Sequence, residues 1–209
     1  MLISVKHKFV FLSNQKCASS SIIKSLKDHS DAVLGNHFRL RHTPYADYEQ
    51  FVLPFLQHRV GPEVVNYPVY TLIREPTDWL FSWYKFRRRQ KIEAEDHPRH
   101  HLYTGDISWA EFLQEVASPK PRPFAKVGRQ AKFVLAADQK TVGPTLFRFE
   151  DIDQLWSTLC EHVGKPLVLE RRNVSPPSEQ APSAEDQKKC RTILADDYRI
   201  YDAILPASS

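Results

Sequence analysis

The stretch Phe9–Lys27, FVFLSNQKCASSSIIKSLK, constrains this chain more than any other. Its apolar run Phe9-Val10-Phe11-Leu12 predicts a short buried strand, and a polar turn with Lys16 inside it follows from Ser13 to Ala18. Ser19-Ser20-Ser21 then head an amphipathic run whose apolar positions are Ile22, Ile23 and Leu26. Strand, short polar loop and hydroxyl-rich helix start is the layout of an anion-binding loop. Amide N–H groups and the positive end of the helix dipole face the ligand, Lys16 adds a mobile charge, and the serines add donors. The loop has no glycine and carries its lysine ahead of the helix, which disfavours the Walker pattern G-x-x-x-x-G-K-[ST]. A tyrosine-phosphatase loop counted from Cys17 would need arginine where Ile23 stands. The plain alternative is a buried strand and a serine-capped helix with no ligand.

With 209 residues the chain is long enough for one well-buried core and short for two, so a single domain over 1–209 is expected. The 42% hydrophobic and 26% charged shares are those of an ordinary water-soluble fold. No segment approaches the roughly 18 uninterrupted apolar residues of a membrane span, and the N-terminus lacks the order of a signal peptide. Cys17, Cys160 and Cys190 form no C-x-x-C pair, so neither a disulfide framework nor a zinc knuckle is indicated and a cytoplasmic location is expected. The net charge of +4 suits an anionic small ligand or a polyanionic acceptor as well as it suits nucleic acid. The densest basic cluster, Lys85, Arg87-Arg88-Arg89 and Lys91, reads as a solvated helix face.

Asp28 to Thr43 shows neither helical nor strand periodicity and reads as a loop carrying His29, His37, Arg39, Arg41 and His42. Pro44 starts a helix to about Arg59 in which Pro54 imposes a kink or an early end. Tyr67–Ile73 is a second strand, ending at Arg74-Glu75-Pro76. Thr77 or Asp78 then caps an aromatic helix with Trp79, Leu80, Trp83 and Phe86. Two strand–turn–helix units predict a parallel α/β sheet whose ligand sits at the carboxyl ends of its strands. His97, His100 and His101 lie in a charged connection from Lys91 to Asp106, without the carboxylate or cysteine spacing of a metal site. Ser108 with Glu111 predicts a capping box for a helix through Val116, and Ser118–Phe124 reads as a proline-rich loop. Further along, Arg129–Ala137 is expected to be helical and Thr145–Phe149 to be a third strand. Asp151 is expected to cap a helix that Gly164 ends, Leu167–Pro182 is irregular, and Ser183 caps a C-terminal helical segment.

The run Ile73-Arg74-Glu75-Pro76, continuing to Asp78 and Ser82-Trp83-Tyr84, resembles the 3′-phosphate-binding motif of sulfotransferases that use 3′-phosphoadenosine 5′-phosphosulfate. In that family an arginine at a strand end and a serine in the next helix hold the ribose 3′-phosphate, roles that fall on Arg74 and Ser82. The loop Gln15-Lys16-Cys17-Ala18-Ser19-Ser20-Ser21 then resembles the family's 5′-phosphosulfate loop, and Arg41-His42-Thr43-Pro44 resembles the basic-His-x-Pro segment of its carbohydrate-directed members. Phe147-Arg148-Phe149-Glu150-Asp151 and Arg172-Asn173-Val174-Ser175 stand where related enzymes carry similar signatures, so the resemblance runs from Phe9 to about Leu205. Departures from the family pattern are Gln15 where proline is common, and Thr77 and Trp79 after the motif's proline.

The resemblance implies one P-loop-NTPase-like domain with a central parallel sheet flanked by helices. It implies transfer of a sulfuryl group from 3′-phosphoadenosine 5′-phosphosulfate to an acceptor hydroxyl, on a carbohydrate or glycolipid, leaving 3′-phosphoadenosine 5′-phosphate. Lys16 would neutralise the leaving phosphate and His42 would be the base, with His37, Asp47 and Glu49 in reserve. No metal is demanded, and no nucleic-acid partner is expected. For His42 the alternative is a structural hydrogen bond within a loop. Two other functions compete: a P-loop-like kinase or nucleotide hydrolase with Glu150-Asp151 as metal ligands, and a basic polyanion-binding module without catalysis.

Overall fold

The computed structural model of the chain describes residues 1–89, 97–170 and 181–205. The chain divides into two compact units, each discontinuous in sequence. The first is Met1–Arg74, Gln130–Val174 and Ile200–Ser209; the second is Glu75–Arg129 and Ser175–Arg199.

The first unit begins with a hairpin. Strands β1 (Leu2–Ser4) and β2 (Phe9–Phe11) pair antiparallel with Leu2 opposite Phe11, and Lys8 closes the turn at a φ of 54°. Helix α1 (Ser19–Leu26) follows and buries Ile22, Ile23 and Leu26, the stripe its periodicity predicts. Strand β3 (Ala32–Val33) returns antiparallel to β1. Short helix α2 (Phe38–Arg41) precedes α3 (Tyr45–Asp47), a π-helical stretch Tyr48–Val52, and α4 (Leu53–Arg59). The Pro54 expectation resolves here in a specific way. A proline has no N–H to give to the carbonyl one turn back, and the widened π stretch just ahead of α4 absorbs that loss without ending the helix.

Strand β4 (Val69–Ile73) leads out of the first unit, and the chain forms α5 (Pro76–Arg87) and α6 (Trp109–Ala117) in the second. It returns with α7 (Gln130–Val134), β5 (Thr145–Arg148) and α8 (Ile152–Val163). Asp151 stands at the N-cap position of α8, but its side chain makes no capping bond there, which corrects the expected cap. Gly164 ends the helix at a φ of 80°, in the left-handed region where glycine carries no Cβ penalty. Helices α9 (Ala184–Ile193) and α10 (Ala195–Asp202) complete the described chain.

The sheet order is β3-β1-β2-β4-β5. It is mixed, which corrects the expectation of a parallel sheet: β2-β4 and β4-β5 are parallel, while β1 pairs antiparallel with both β2 and β3. The two antiparallel strands have three and two residues, too short for a hydrophobic period to declare them. The core of this unit joins Met1, Val10, Leu12 and Ile73 of the sheet region to Tyr48, Leu56, Phe133 and Val134 of the helical segments.

The second unit is aromatic. Trp83 meets Trp79 and Phe86 edge-on, Phe81 and Tyr84 pack on Trp109, and Phe112 stacks on Phe124. Helix α5 is capped neither by Thr77 nor by Asp78: the Glu75 carboxylate accepts the Asp78 N–H at 2.7 Å. Thr77 is instead turned to the Tyr198 hydroxyl at 2.6 Å, in a network that Glu75 shares. The capping box of Ser108 with Glu111 forms as the sequence predicts, and Ser183, the expected cap of α9, completes a second box with Asp186. Among the described residues no helix is long and apolar enough to cross a membrane.

Candidate functional site

Because β2, β4 and β5 run parallel, the segments that follow them leave the sheet at one edge. Those segments are Ser13–Ala18, Arg74, and Phe149-Glu150. After β2 the chain moves to the β3 side of the sheet, and from β4 it continues to β5 on the other side. The crevice outside β2 and β4 is therefore a topological switch point, the position where open α/β sheets bind ligands.

The loop after β2 is tied down along its length. Leu12 N–H donates to Tyr70 O at 2.9 Å, and the Thr71 hydroxyl donates to Leu12 O at 2.8 Å. The Asn14 amide donates to Leu72 O at 3.0 Å. Lys16 and Ala18 both take left-handed backbone conformations, at φ of 62° and 51°, with Cys17 between them. Left-handed residues alternating with right-handed ones curl successive N–H groups to one side and make an anion-binding nest. The amides of Cys17, Ala18, Ser19 and Ser20 make no hydrogen bond of ordinary geometry to any described residue.

Neither left-handed residue is glycine, and each costs about 1–2 kcal/mol of backbone strain. Ala18→Gly is therefore expected to raise unfolding stability by roughly 1 kcal/mol, read as a shifted urea midpoint at unchanged slope. The serines divide their work. Ser19 donates its hydroxyl to Asn14 O at 3.3 Å and so braces the loop, whereas the Ser20 hydroxyl accepts from Arg41 Nη1 at 3.3 Å. Ser21 is buried at the helix start. Cys17 is a filler: it is 1% exposed, and burial pushes its thiol up to about 12 despite the nearby Arg74 and Lys16 charges.

Gln130, at the head of α7, is the clamp of the site and is 1% exposed. Its side-chain carbonyl accepts from Arg74 N–H at 3.0 Å, from Asn14 at 3.3 Å and from the Cys17 thiol at 3.5 Å. Its amide nitrogen donates to Arg74 O at 2.8 Å. One buried side chain thus pairs with both backbone groups of Arg74, as a neighbouring strand would, and fixes the loop after β2 to it. Gln130→Leu removes the side-chain partner of both Arg74 backbone groups and of one Asn14 amide proton, so a loss of about 2–4 kcal/mol in denaturant unfolding is expected.

The Arg74 guanidinium lies over the Phe149 ring at 4.8 Å, and its Nε is buried with no partner among the described residues. Stacking fixes the plane of the guanidinium and leaves its edge for a ligand. Glu150, next along, accepts from the Tyr201 hydroxyl at 3.1 Å.

His42 caps the end of α2, and its ring meets Phe38 edge-on at 5.1 Å. Nδ1 lies 2.6 Å from Ser13 O. A carbonyl only accepts, so Nδ1 carries the proton and Nε2 carries the free lone pair. Burial lowers the pKa of this imidazole from its ordinary value, against the opposing pull of the Ser13 carbonyl, and keeps it neutral. The loop hydrogen bond weighed as the alternative for His42 therefore forms, and it leaves Nε2 as the ring's acceptor.

The fold thus gathers Gln15–Ser21, Arg41, His42 and Arg74 at one end of the first unit's sheet. Ser82 belongs to the second unit, where it is 3% exposed within α5. Of the reserve bases, Glu49 is engaged by Ala137 N–H at 3.1 Å, and His37 precedes α2 on an exposed stretch. Arg172, Asn173, Ser175 and Lys91 lie outside the described residues. Among the described residues no three His, Cys, Asp or Glu side chains come together as a metal site requires. Asn14 and Gln130 were not readable from sequence, since a single amide in a short polar turn or a five-residue helix leaves no pattern.

Compared with known proteins, the chain matches no family model and no curated protein.

Proposed function

We propose that the chain is a sulfotransferase that moves a sulfuryl group from 3′-phosphoadenosine 5′-phosphosulfate to an acceptor hydroxyl on a carbohydrate or glycolipid. The observation that carries the reading is the glycine-free loop after β2. It curls at Lys16 and Ala18, is clamped through Gln130 to Arg74 at the end of β4, and has Arg41-His42 along its flank. The parallel β2-β4-β5 part of the sheet, with the loop and α1 after β2, supports a P-loop-NTPase-like arrangement. Three cations and a curl of amides suit a ligand with several phosphate charges, and the donor set fits the phosphosulfate donor.

The chain's own residues then divide the reaction. The Cys17–Ser20 amides bind and orient the phosphosulfate oxygens. Lys16 stabilises negative charge on the bridging oxygen as its bond to sulfur breaks, so a phosphate leaves without further help. Arg74 binds a phosphate of the nucleotide through its guanidinium edge. His42 Nε2 accepts the proton of the acceptor hydroxyl as that oxygen bonds to sulfur. The net result is one S–O bond formed, one broken, and one proton moved to the imidazole.

The test is transfer itself. Purified protein is incubated with sulfur-35-labelled donor and a panel of monosaccharide, oligosaccharide and glycolipid acceptors. Labelled sulfate ester on any acceptor sustains the reading; intact donor across the whole panel, with the protein folded, contradicts it.

A further inference from the structure

The second unit contains a buried cation that the proposed activity does not use. Of the three consecutive arginines, Arg88 bonds Tyr84 through Nη1 and lies over its ring at 5.2 Å, and Arg89 lies over Phe86 at 4.8 Å. Arg87 differs. It ends α5 at 5% exposure, and its Nε and Nη1 are buried without a hydrogen-bond partner. One face of its guanidinium is taken by the Trp83 ring at 5.3 Å, which leaves the N–H edge to whatever lies beside it. Arg87 O accepts the Thr104 N–H at 3.1 Å, and Thr104 is 1% exposed with its own hydroxyl buried and unpartnered.

The charge around Arg87 is wrong for a structural ion pair. No described carboxylate bonds it, and the group acting on it is a second cation, Arg99. Burial and that repulsion together lower its pKa to about 10. The carbonyl end of α5 gives a cation only partial compensation. A guanidinium taken out of water without an anion is strongly unfavourable, and an apolar side chain of similar size would serve packing better. The solvated helix face expected for this cluster thus fails at its first arginine.

We propose that Arg87, with Thr104, is the core of a second oxyanion site that binds a phosphate or sulfate group. Nε–H and the Nη2–H beside it form the fork that matches two oxygens of a tetrahedral oxyanion, Nη1–H adds a donor on the neighbouring edge, and the threonine hydroxyl supplies a further one. Arg99 adds attraction for the same charge. This inference concerns the second unit alone and stands or falls independently of sulfuryl transfer.

The experiment is a set of thermal melts on the full chain carrying Arg74→Ala, so that the first unit's phosphate contact is removed. Inorganic sulfate, inorganic phosphate and N-acetylglucosamine 6-sulfate are titrated against potassium chloride at matched ionic strength. Each oxyanion is expected to raise the melting temperature beyond chloride. Arg87→Met should remove that rise while melting, without anion, at or above its parent; Thr104→Val should weaken the apparent affinity several-fold. Should Arg87→Met not fold, Arg87→Lys keeps the charge but loses the fork, and at least tenfold weaker oxyanion binding is expected. A larger rise with the sugar sulfate than with inorganic sulfate places the group on a larger ligand, and equal rises identify the free ion. Rises in Arg87→Met or Arg87→Lys that match the parent, or no rise beyond chloride in the parent, overturn the proposal.

Discussion

Arg74→Ala is expected to abolish stabilisation of the protein by 3′-phosphoadenosine 5′-phosphate while leaving the protein folded. The fold around Arg74 rests on its backbone, which Gln130 holds from both sides, and alanine keeps those bonds. What alanine removes is the guanidinium over Phe149, with its buried and unpartnered Nε. Hydrogen bonds to charged groups contribute about 1.5–3 kcal/mol each, so losing a bidentate pair to phosphate weakens binding roughly 10²–10⁴-fold. At a ligand concentration of a hundred dissociation constants the parent gains about 2.7 kcal/mol, and a hundredfold weaker variant gains about 0.4. Calorimetric titration gives the affinity ratio directly. A ratio near one would remove Arg74 from the phosphate site.

His42→Ala is expected to act on the other side of the chemistry. A general base contributes about 10²–10⁴-fold, so turnover should fall in that range while nucleotide affinity changes little. The pH dependence carries the more specific expectation. A base works only unprotonated, and burial lowers this imidazole's pKa below its ordinary 6.5. The parent should therefore hold its kcat/KM as pH falls through 6.5 and lose it only on further acidification, and His42→Ala should lose that limb altogether. A variant with unchanged turnover and an unchanged acid limb would leave the Nδ1–Ser13 bond as the residue's whole role.

The parts of this fold that were legible in the sequence are those whose physics is local. Phe9–Phe11, the polar loop and α1 announce themselves by an apolar run, a break and a 3.6-residue stripe, and β4 followed by Arg74 does the same. Ser108, Ser183 and Gly164 mark their helix ends because a cap is a bond within one turn of chain. What was not legible depends on distant partners. Leu2–Ser4 and Ala32–Val33 are strands only because β2 and β1 offer them edges, and with them the parallel sheet becomes mixed. Glu75 caps α5, which opens at Pro76, while Thr77 bonds Tyr198 far along the chain. In the site, Lys16 and the serines were visible as residue types. The left-handed turns at Lys16 and Ala18 were not, since neither residue is one that favours them. Gln130 was invisible because its four bonds reach Asn14, Cys17 and both backbone groups of Arg74 across the fold.

The kinase and binding-module alternatives differ from sulfuryl transfer first in what the loop binds. The direct measurement is therefore a thermal melt of the parent protein in EDTA with 3′-phosphoadenosine 5′-phosphate, beside a melt with ATP and Mg²⁺. The expected result is a rise of several degrees with the bisphosphate in EDTA, lost in Arg74→Ala. A rise only with ATP and Mg²⁺, or no rise with either, would contradict the account.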